Sequence, residues 1–285
     1  MENRYYFLTP VDLQVLQRCP DGDEVILSLD LGMSQQPVRR RGPQMILADG
    51  TSLPLPSPRL SANDAARTIL IFREGQWTKW QYYDEKTGRF YKPVFVAEGQ
   101  PPTVEISGIK MHVTDAGGPQ RDTRKKLQAL GLVRGRVLDT CCGLGYTAIA
   151  LAGMATVQQV ITIEKDETMV RICRENPWSQ ALFHSAKIQL IRGDVTEVIQ
   201  GLRSGRFNAV LHDPPRYALA PELYTTSFYR ELWRVLRRGG RLYHYTGNPR
   251  KQQSRGLPER TAARLQEAGF IRVRHCYQGV CARKP

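Results

Sequence analysis

Nowhere in the 285 residues does an apolar run approach the roughly 18 that a membrane-spanning helix requires, and Met1 to Pro10 lacks the basic-then-apolar order of a signal peptide. The chain therefore reads as soluble and cytoplasmic. Cysteine is sparse and scattered, at positions 19, 141, 142, 173, 276 and 281, with no CxxC pair. The five histidines form no cluster at ligand spacing, so neither a disulfide framework nor a metal site is expected. Acidic residues are also in short supply, 27 against 41 Lys and Arg, and the deficit is local. Residues 1–105 carry 12 basic and 13 acidic side chains, whereas residues 106–285 carry 29 and 14, a balance of +15. Such a field concentrates polyanions, and RNA is the partner it suggests. An arginine-rich solvated surface would give the same count.

What is present divides at about the same place. Up to residue 105 short strands alternate with turn residues, as in VILSLDLG from Val25 and the Asp49-Gly50 turn, while Pro54, Pro56 and Pro58 interrupt the next segment. Trp77–Tyr83 and Phe90–Val96 flank Glu85-Lys86-Thr87-Gly88 as the arms of a hairpin. The aromatic residues there are expected to pack a small sheet rather than stack on bases. A smaller β-rich N-terminal domain, 1–105, is the reading. From about Thr103 apolar runs alternate with amphipathic stretches, the pattern of a parallel α/β sheet. Strands are expected at 136–140, 160–164, 187–192, 207–213, 241–246, 270–276 and 280–284, and helices at 146–154, 166–174, 196–203, 223–238 and 258–268. Only Gln278-Gly279 separates the last two strands, so they must pair antiparallel. The fold class is thus α/β: a seven-stranded Rossmann-like sheet over 106–285.

Four of the expected strand ends carry an acid. Val137-Leu138-Asp139 leads through Cys141-Cys142-Gly143-Leu144-Gly145 into a small, apolar helix beginning at Tyr146, and glycines in such a turn let a ligand approach the backbone. Cys141 occupies the place of the first glycine in a dinucleotide loop. Glu164, 25 positions after Asp139, is placed to accept from two ribose hydroxyls. Asp194 is placed to accept from an adenine amino group, with Val195 flanking the ring. The fourth strand runs into His212-Asp213-Pro214-Pro215-Arg216-Tyr217. His212 and Asp213 are the candidate proton acceptors there, with His244 and the more distant His112 behind them. Tyr146 and Tyr217 are candidates for lining the pocket.

The stretches VLDTCCGLGYTAIAL, NPWS (176–179), HDPPRY and RRGGRLYHYTGNP (237–249) resemble the class I S-adenosylmethionine-dependent methyltransferase superfamily. More closely they resemble a family of predicted methyltransferases found largely in archaea, and ISGIKMHVT and PQRDT upstream extend that resemblance over most of the chain. The resemblance implies an enzyme that uses S-adenosylmethionine, releases S-adenosylhomocysteine and needs no metal. Carried over by motif, Asp139, Cys141, Gly143 and Gly145 form the methionine-side loop, Glu164 is the ribose acid and Asp194 the adenine acid. Pro214, Pro215, Arg216 and Tyr217 would meet the substrate beside Asp213. Amino-methylating relatives carry an aromatic residue where Arg216 stands, which speaks against methylation of a base amino group. Uridine-carbon methyltransferases need a nucleophilic cysteine where this chain reads Tyr245 to Pro249, which disfavours covalent catalysis. RNA methylation is the first expectation. Methylation of a protein or small metabolite, an aminopropyl transfer like that of polyamine synthases, and a non-catalytic binding module are the alternatives. Nothing in the sequence indicates an oligomeric state.

Overall fold

The computed structural model describes residues 5–57, 62–114, 117–248 and 254–285, so Pro58, Pro249, Arg250 and Lys251 lie outside the described residues. Two compact units divide the chain, one of Met1–Asp122 with Glu175–Trp178, the other of Thr123–Arg174 with Ser179–Pro285. No helix among the described residues is long and apolar enough to cross a membrane.

The first unit is built of antiparallel sheets. Strands Glu24–Leu27, Gln36–Arg41, Gln44–Leu47 and Ser52–Pro54 form a meander, with Gly50 at φ 84° in the Asp49-Gly50 turn. Tyr82–Asp84 pairs with Arg89–Val94 around the expected turn. Trp77 does not belong to that hairpin. Its strand, Gln76–Lys79, pairs with Leu70–Arg73 across Glu74-Gly75, and its ring packs against Phe72 in another sheet. The separation follows from Gly75, which takes φ 79° and closes a tighter hairpin ahead of the predicted one. A helix, Pro10–Arg18, also interrupts the strands. Thr9 caps it, and the Asp12 carboxylate accepts from the Thr9 backbone N–H in return, a reciprocal pair that is visible in Thr-Pro-Val-Asp.

In the second unit seven strands make one sheet: β1 (Gly135–Asp139), β2 (Val157–Glu164), β3 (Ile188–Arg192), β4 (Phe207–His212), β5 (Leu236–Tyr245), β6 (Ile271–Cys276) and β7 (Gly279–Arg283). Their spatial order is β3-β2-β1-β4-β5-β7-β6. Strands β1 to β5 run parallel and the β6–β7 hairpin runs antiparallel to them, as expected. The chain steps outward from β1 to β3 and then returns to the other side of β1 for β4. That reversal opens a crevice at the carboxyl ends of β1 and β4. The unit's helices are α2 (Tyr146–Ala152), α4 (Thr226–Val235) and α5 (Leu257–Glu267), with α1 (Gly118–Leu130) from Thr123 onward and α3 (Glu167–Glu175) up to Arg174. A core containing Leu138, Ile161, Val210, Leu232, Leu242 and Val280 binds helices to strands.

The helix expected over 223–238 is shorter than its apolar pattern. Thr225 takes an extended conformation and caps α4 by accepting from the Phe228 N–H at 3.2 Å, leaving Pro221–Tyr224 as a separate 3₁₀ turn. At the other end Leu236 is already extended, so β5 starts five residues before the expected strand. Similarly, the stretch expected as a helix over 196–203 is one α-turn, Val195–Val198, followed by the 3₁₀ turn Ile199–Gly201.

Candidate cofactor and transfer site

The loop between β1 and α2 is held from several sides. Its Cys142 N–H donates to the Ile163 carbonyl at 2.8 Å, and the Gly145 N–H donates to the Cys142 carbonyl at 2.8 Å. The Gly143 N–H reaches Glu164 Oε2 at 2.8 Å, while Ser179 Oγ donates to the Leu144 carbonyl at 2.8 Å. Gly143 and Gly145 have φ of 54° and 78°. A Cβ on Gly145 would lie 2.3 Å from Leu182 Cδ1, so packing inside the domain demands that glycine, independently of any ligand. Gly145→Ala should therefore lower stability by about 2–4 kcal/mol, the sum of the left-handed backbone and the overpacked contact. Chemical denaturation checks this, and a loss below about 1 kcal/mol would mean that the loop simply relaxes. Cys141 is half-buried against the core, and burial holds its thiol well above the ordinary range, so it stays protonated near neutral pH. Tyr146 starts α2 and is buried.

The acids at the ends of β1, β2 and β3 are placed on one edge, each with different surroundings. Asp139 is fully buried: Oδ2 accepts from Thr162 Oγ1 at 2.8 Å and Thr147 Oγ1 at 3.3 Å, whereas Oδ1 has no partner among the described residues. Burial pushes its carboxyl up to about 7 against the Thr162 hydrogen bond, with Asp213 adding to the rise. Glu164 is half-buried and accepts from the Asp166 N–H at 3.0 Å as well as from Gly143. Burial raises it to about 7 as well, opposed by those two backbone N–H groups. Asp194 caps the turn Val195–Val198 through Oδ1, which accepts from the Thr196 N–H at 2.9 Å, and Oδ2 accepts from Lys165 Nζ at 3.2 Å. Burial opposes its ionisation, but the Thr196 hydroxyl and N–H and the Lys165 ammonium together hold it below the usual carboxylate range. Val195 is buried in the domain core.

At the end of β4 the structure changes the assignment of His212. The ring is fully buried, with Nδ1 2.7 Å from Thr140 Oγ1 and Nε2 3.0 Å from the Leu223 carbonyl. Since the carbonyl can only accept, Nε2 carries the proton and Nδ1 accepts from the threonine. Burial lowers its pKa to about 4, so His212 is a neutral strut between two elements and has neither nitrogen to offer a substrate proton. His244 is similar: Tyr229 Oη lies 2.8 Å from Nε2, Nδ1 is 2.7 Å from the Tyr245 carbonyl, and its ring meets the edge of His212 at 4.4 Å. His112 is in the first unit, on Thr103 Oγ1.

Asp213 follows, and it meets a lysine that no sequence motif marks. Lys126 of α1 is 3% exposed and its Nζ lies 2.6 Å from Asp213 Oδ2, over the Tyr245 ring at 4.9 Å. One signal was available. Residues 119, 122, 123, 126, 127 and 130 form the buried stripe of α1, and a lysine on such a stripe needs a partner. Beyond Asp213, Pro214 is buried, and the Pro215 carbonyl accepts from Tyr224 Oη at 2.8 Å. Arg216 is exposed, and Tyr217, 39% exposed, sets its ring edge-on to Tyr224. Asp139, Glu164, Asp194 and Asp213 thus share the carboxyl edge of four adjacent strands, β3-β2-β1-β4.

Residues 137–240 match a family model described as a methyltransferase domain. An uncharacterised protein of Methanocaldococcus jannaschii is 44% identical over 189 residues, 65% of each chain. Polyamine aminopropyltransferase 2 of Streptomyces coelicolor is 27% identical over 159 residues, which is 53% of this chain and 28% of that protein. The matched region covers less than two thirds of either relative. Among solved structures, spermidine synthase of Thermotoga maritima aligns with a TM-score of 0.58 at 14% identity, covering 74% of this chain and 76% of that one, which is a likeness of fold.

Proposed function

We propose that the protein transfers a methyl group from S-adenosylmethionine to RNA; the match of residues 137–240 to a methyltransferase-domain model supports the transfer half of that reading. The observation that carries the cofactor half is Glu164. It stands at the end of the strand beside the glycine loop, holds the Gly143 N–H, and keeps carboxylate lone pairs for two ribose hydroxyls. The unpartnered Asp139 Oδ1 at the start of the loop and the left-handed Gly143 fit the amino-acid tail of the same molecule. Asp194 would take the adenine amino group. The acceptor half rests on the +15 balance of residues 106–285.

S-Adenosylmethionine supplies an electrophilic methyl on a sulfonium, and its displacement requires alignment more than acid or base help. The chain's own part is therefore to hold and to orient. Asp213, fixed by Lys126, and the exposed Arg216 and Tyr217 would position the nucleophile. With His212 engaged on both nitrogens, a departing proton has Asp213 or water to go to. The deciding experiment is transfer of labelled methyl from S-adenosylmethionine into fractionated RNA, protein and metabolites. Label in RNA is expected; label confined to metabolites would overturn the acceptor, and no label anywhere would overturn methyl transfer.

Aminopropyl transfer is a second reading, favoured by the likeness to the Streptomyces aminopropyltransferase. Against it stands Lys126, because a buried ammonium on Asp213 occupies the charge that would attract a polyamine. Turnover of decarboxylated S-adenosylmethionine with putrescine would establish it.

A further inference from the structure

On the second unit, at the amino ends of the parallel strands, two hollows of about 240 Å³ each share Arg241 and Arg283. Arg134 and Arg237 line the first and Arg272 and Arg274 the second, so six arginines line the pair, and among the described residues no Asp or Glu lines either hollow. Two arginines elsewhere on the same unit do have acidic partners, Arg234 with Glu231 and Arg230 with Glu267. Among the described residues none of the six has an acidic partner. The cluster is set by the sheet, since Arg241 on β5 and Arg283 on β7 are direct register partners, and Ile271, next to Arg272 on β6, is the register partner of Arg283 from the other side. Space is also made for it. A Cβ at Gly131 would lie 2.4 Å from Arg241 Nη1, so a glycine there lets the guanidinium lie against the backbone. Burial, and then the neighbouring Arg283 and Arg274, lower the Arg241 pKa.

We propose that this arginine bed binds the phosphodiester backbone of a single-stranded RNA, at the edge of the sheet opposite the transfer site. Guanidinium forks match phosphate oxygens, and six of them spread over two adjoining hollows fit an anion that repeats its charge along a chain. The inference rests on the RNA reading given above and adds the place where the strand is held. From Asn208 at the bed to Asp213 is five residues of β4, about 17 Å, so only an acceptor several nucleotides long gains from both.

The test uses the full chain and a 24-nucleotide single-stranded RNA, read by fluorescence anisotropy over a range of salt. Arg134, Arg237 and Arg274 are exposed, so the triple variant R134Q/R237Q/R274Q should keep S-adenosylhomocysteine affinity by calorimetry. RNA affinity should fall about fiftyfold at 0.15 M salt and the slope of log K against log salt should lessen by roughly 2, three contacts at about 0.7 each. A control of equal charge change, R171Q/R203Q/R260Q, should lose no more than about threefold. Equal losses in the two variants, or no RNA binding by the wild type, would overturn the bed. Inorganic tripolyphosphate competing as tightly as RNA, or phosphatidylserine vesicles retained by the wild type and not by the triple variant, would also overturn an RNA backbone. If the triple variant lost S-adenosylhomocysteine binding, R237Q and R274Q singly, each expected to lose about fourfold, would decide. RNA bound through the bed yet never methylated would leave this inference standing and remove the acceptor reading.

Discussion

Replacing Glu164 by alanine should weaken S-adenosylhomocysteine binding by at least about 100-fold while leaving the fold intact. Two hydrogen bonds from ribose hydroxyls to a charged acceptor contribute about 1.5 kcal/mol or more each, and their loss together gives that factor. The same variant frees the Gly143 N–H from Oε2, which loosens the glycine loop. Little stability should be lost, because the unliganded protein already bears the cost of burying this carboxylate, as its rise to about 7 shows. Glu164→Gln should recover little, since an amide has one acceptor oxygen and turns an N–H toward another N–H. Calorimetry on the two variants, with thermal melts alongside, makes the comparison. Binding within about threefold of wild type would remove Glu164 from the cofactor site.

The titration of Glu164 gives the result a pH dependence. Hydroxyl donors favour the ionised form, so the bound state has the lower pKa and the ligand expels a proton. Affinity should rise as pH approaches 7 from below, by up to tenfold per unit, and level off above 7. Stability of the unliganded protein moves the other way. Asp139 and Glu164 have folded values near 7 against 3.8 and 4.5 for the ordinary groups, so between those limits the folded state holds more protons than the unfolded one. Their contribution to stability falls as pH rises through that window, and above it remains constant.

The parts legible in the sequence are those governed by local pattern. A strand entering a turn with Gly143 and Gly145 and then an apolar helix fixes β1, the loop and α2, and acids at the ends of β2, β3 and β4 follow from strand placement. The reason for Gly145 was not legible, because Leu182 lies 37 residues away and its contact exists only after folding. His212 illustrates the same limit for chemistry. A histidine before an aspartate at a strand end suggests a base, but Thr140 and the Leu223 carbonyl, neither adjacent in the chain, take both nitrogens. In the first unit, aromatic alternation continuing through Tyr83 points Trp77 to the second hairpin, whereas Gly75 decides where the chain turns.

Lys126 is where a long-range pairing has the largest mechanistic consequence. Lys126→Met keeps the side chain's length and its contact with the Tyr245 ring but removes the Lys126 ammonium from Asp213. Because Asp213 is 20% exposed, water offsets part of the penalty of a broken buried pair, and about 2–3 kcal/mol of destabilisation is expected. That corresponds to a fall in Tm on the order of 5–10 °C. Asp213→Asn should destabilise comparably, since it leaves a buried ammonium facing a neutral amide. In the double variant Lys126→Met/Asp213→Asn neither charge remains, so the losses should not add, and about 1–2 kcal/mol should return. Methyl transfer should not return with it. If Asp213 positions the nucleophile, kcat stays low by roughly 100-fold in all three variants while S-adenosylhomocysteine affinity stays near wild type. Additive stability losses would show that the two groups do not form a pair. Recovery of kcat in the restabilised double variant would show that the pair supports the fold alone and that another group aligns the acceptor.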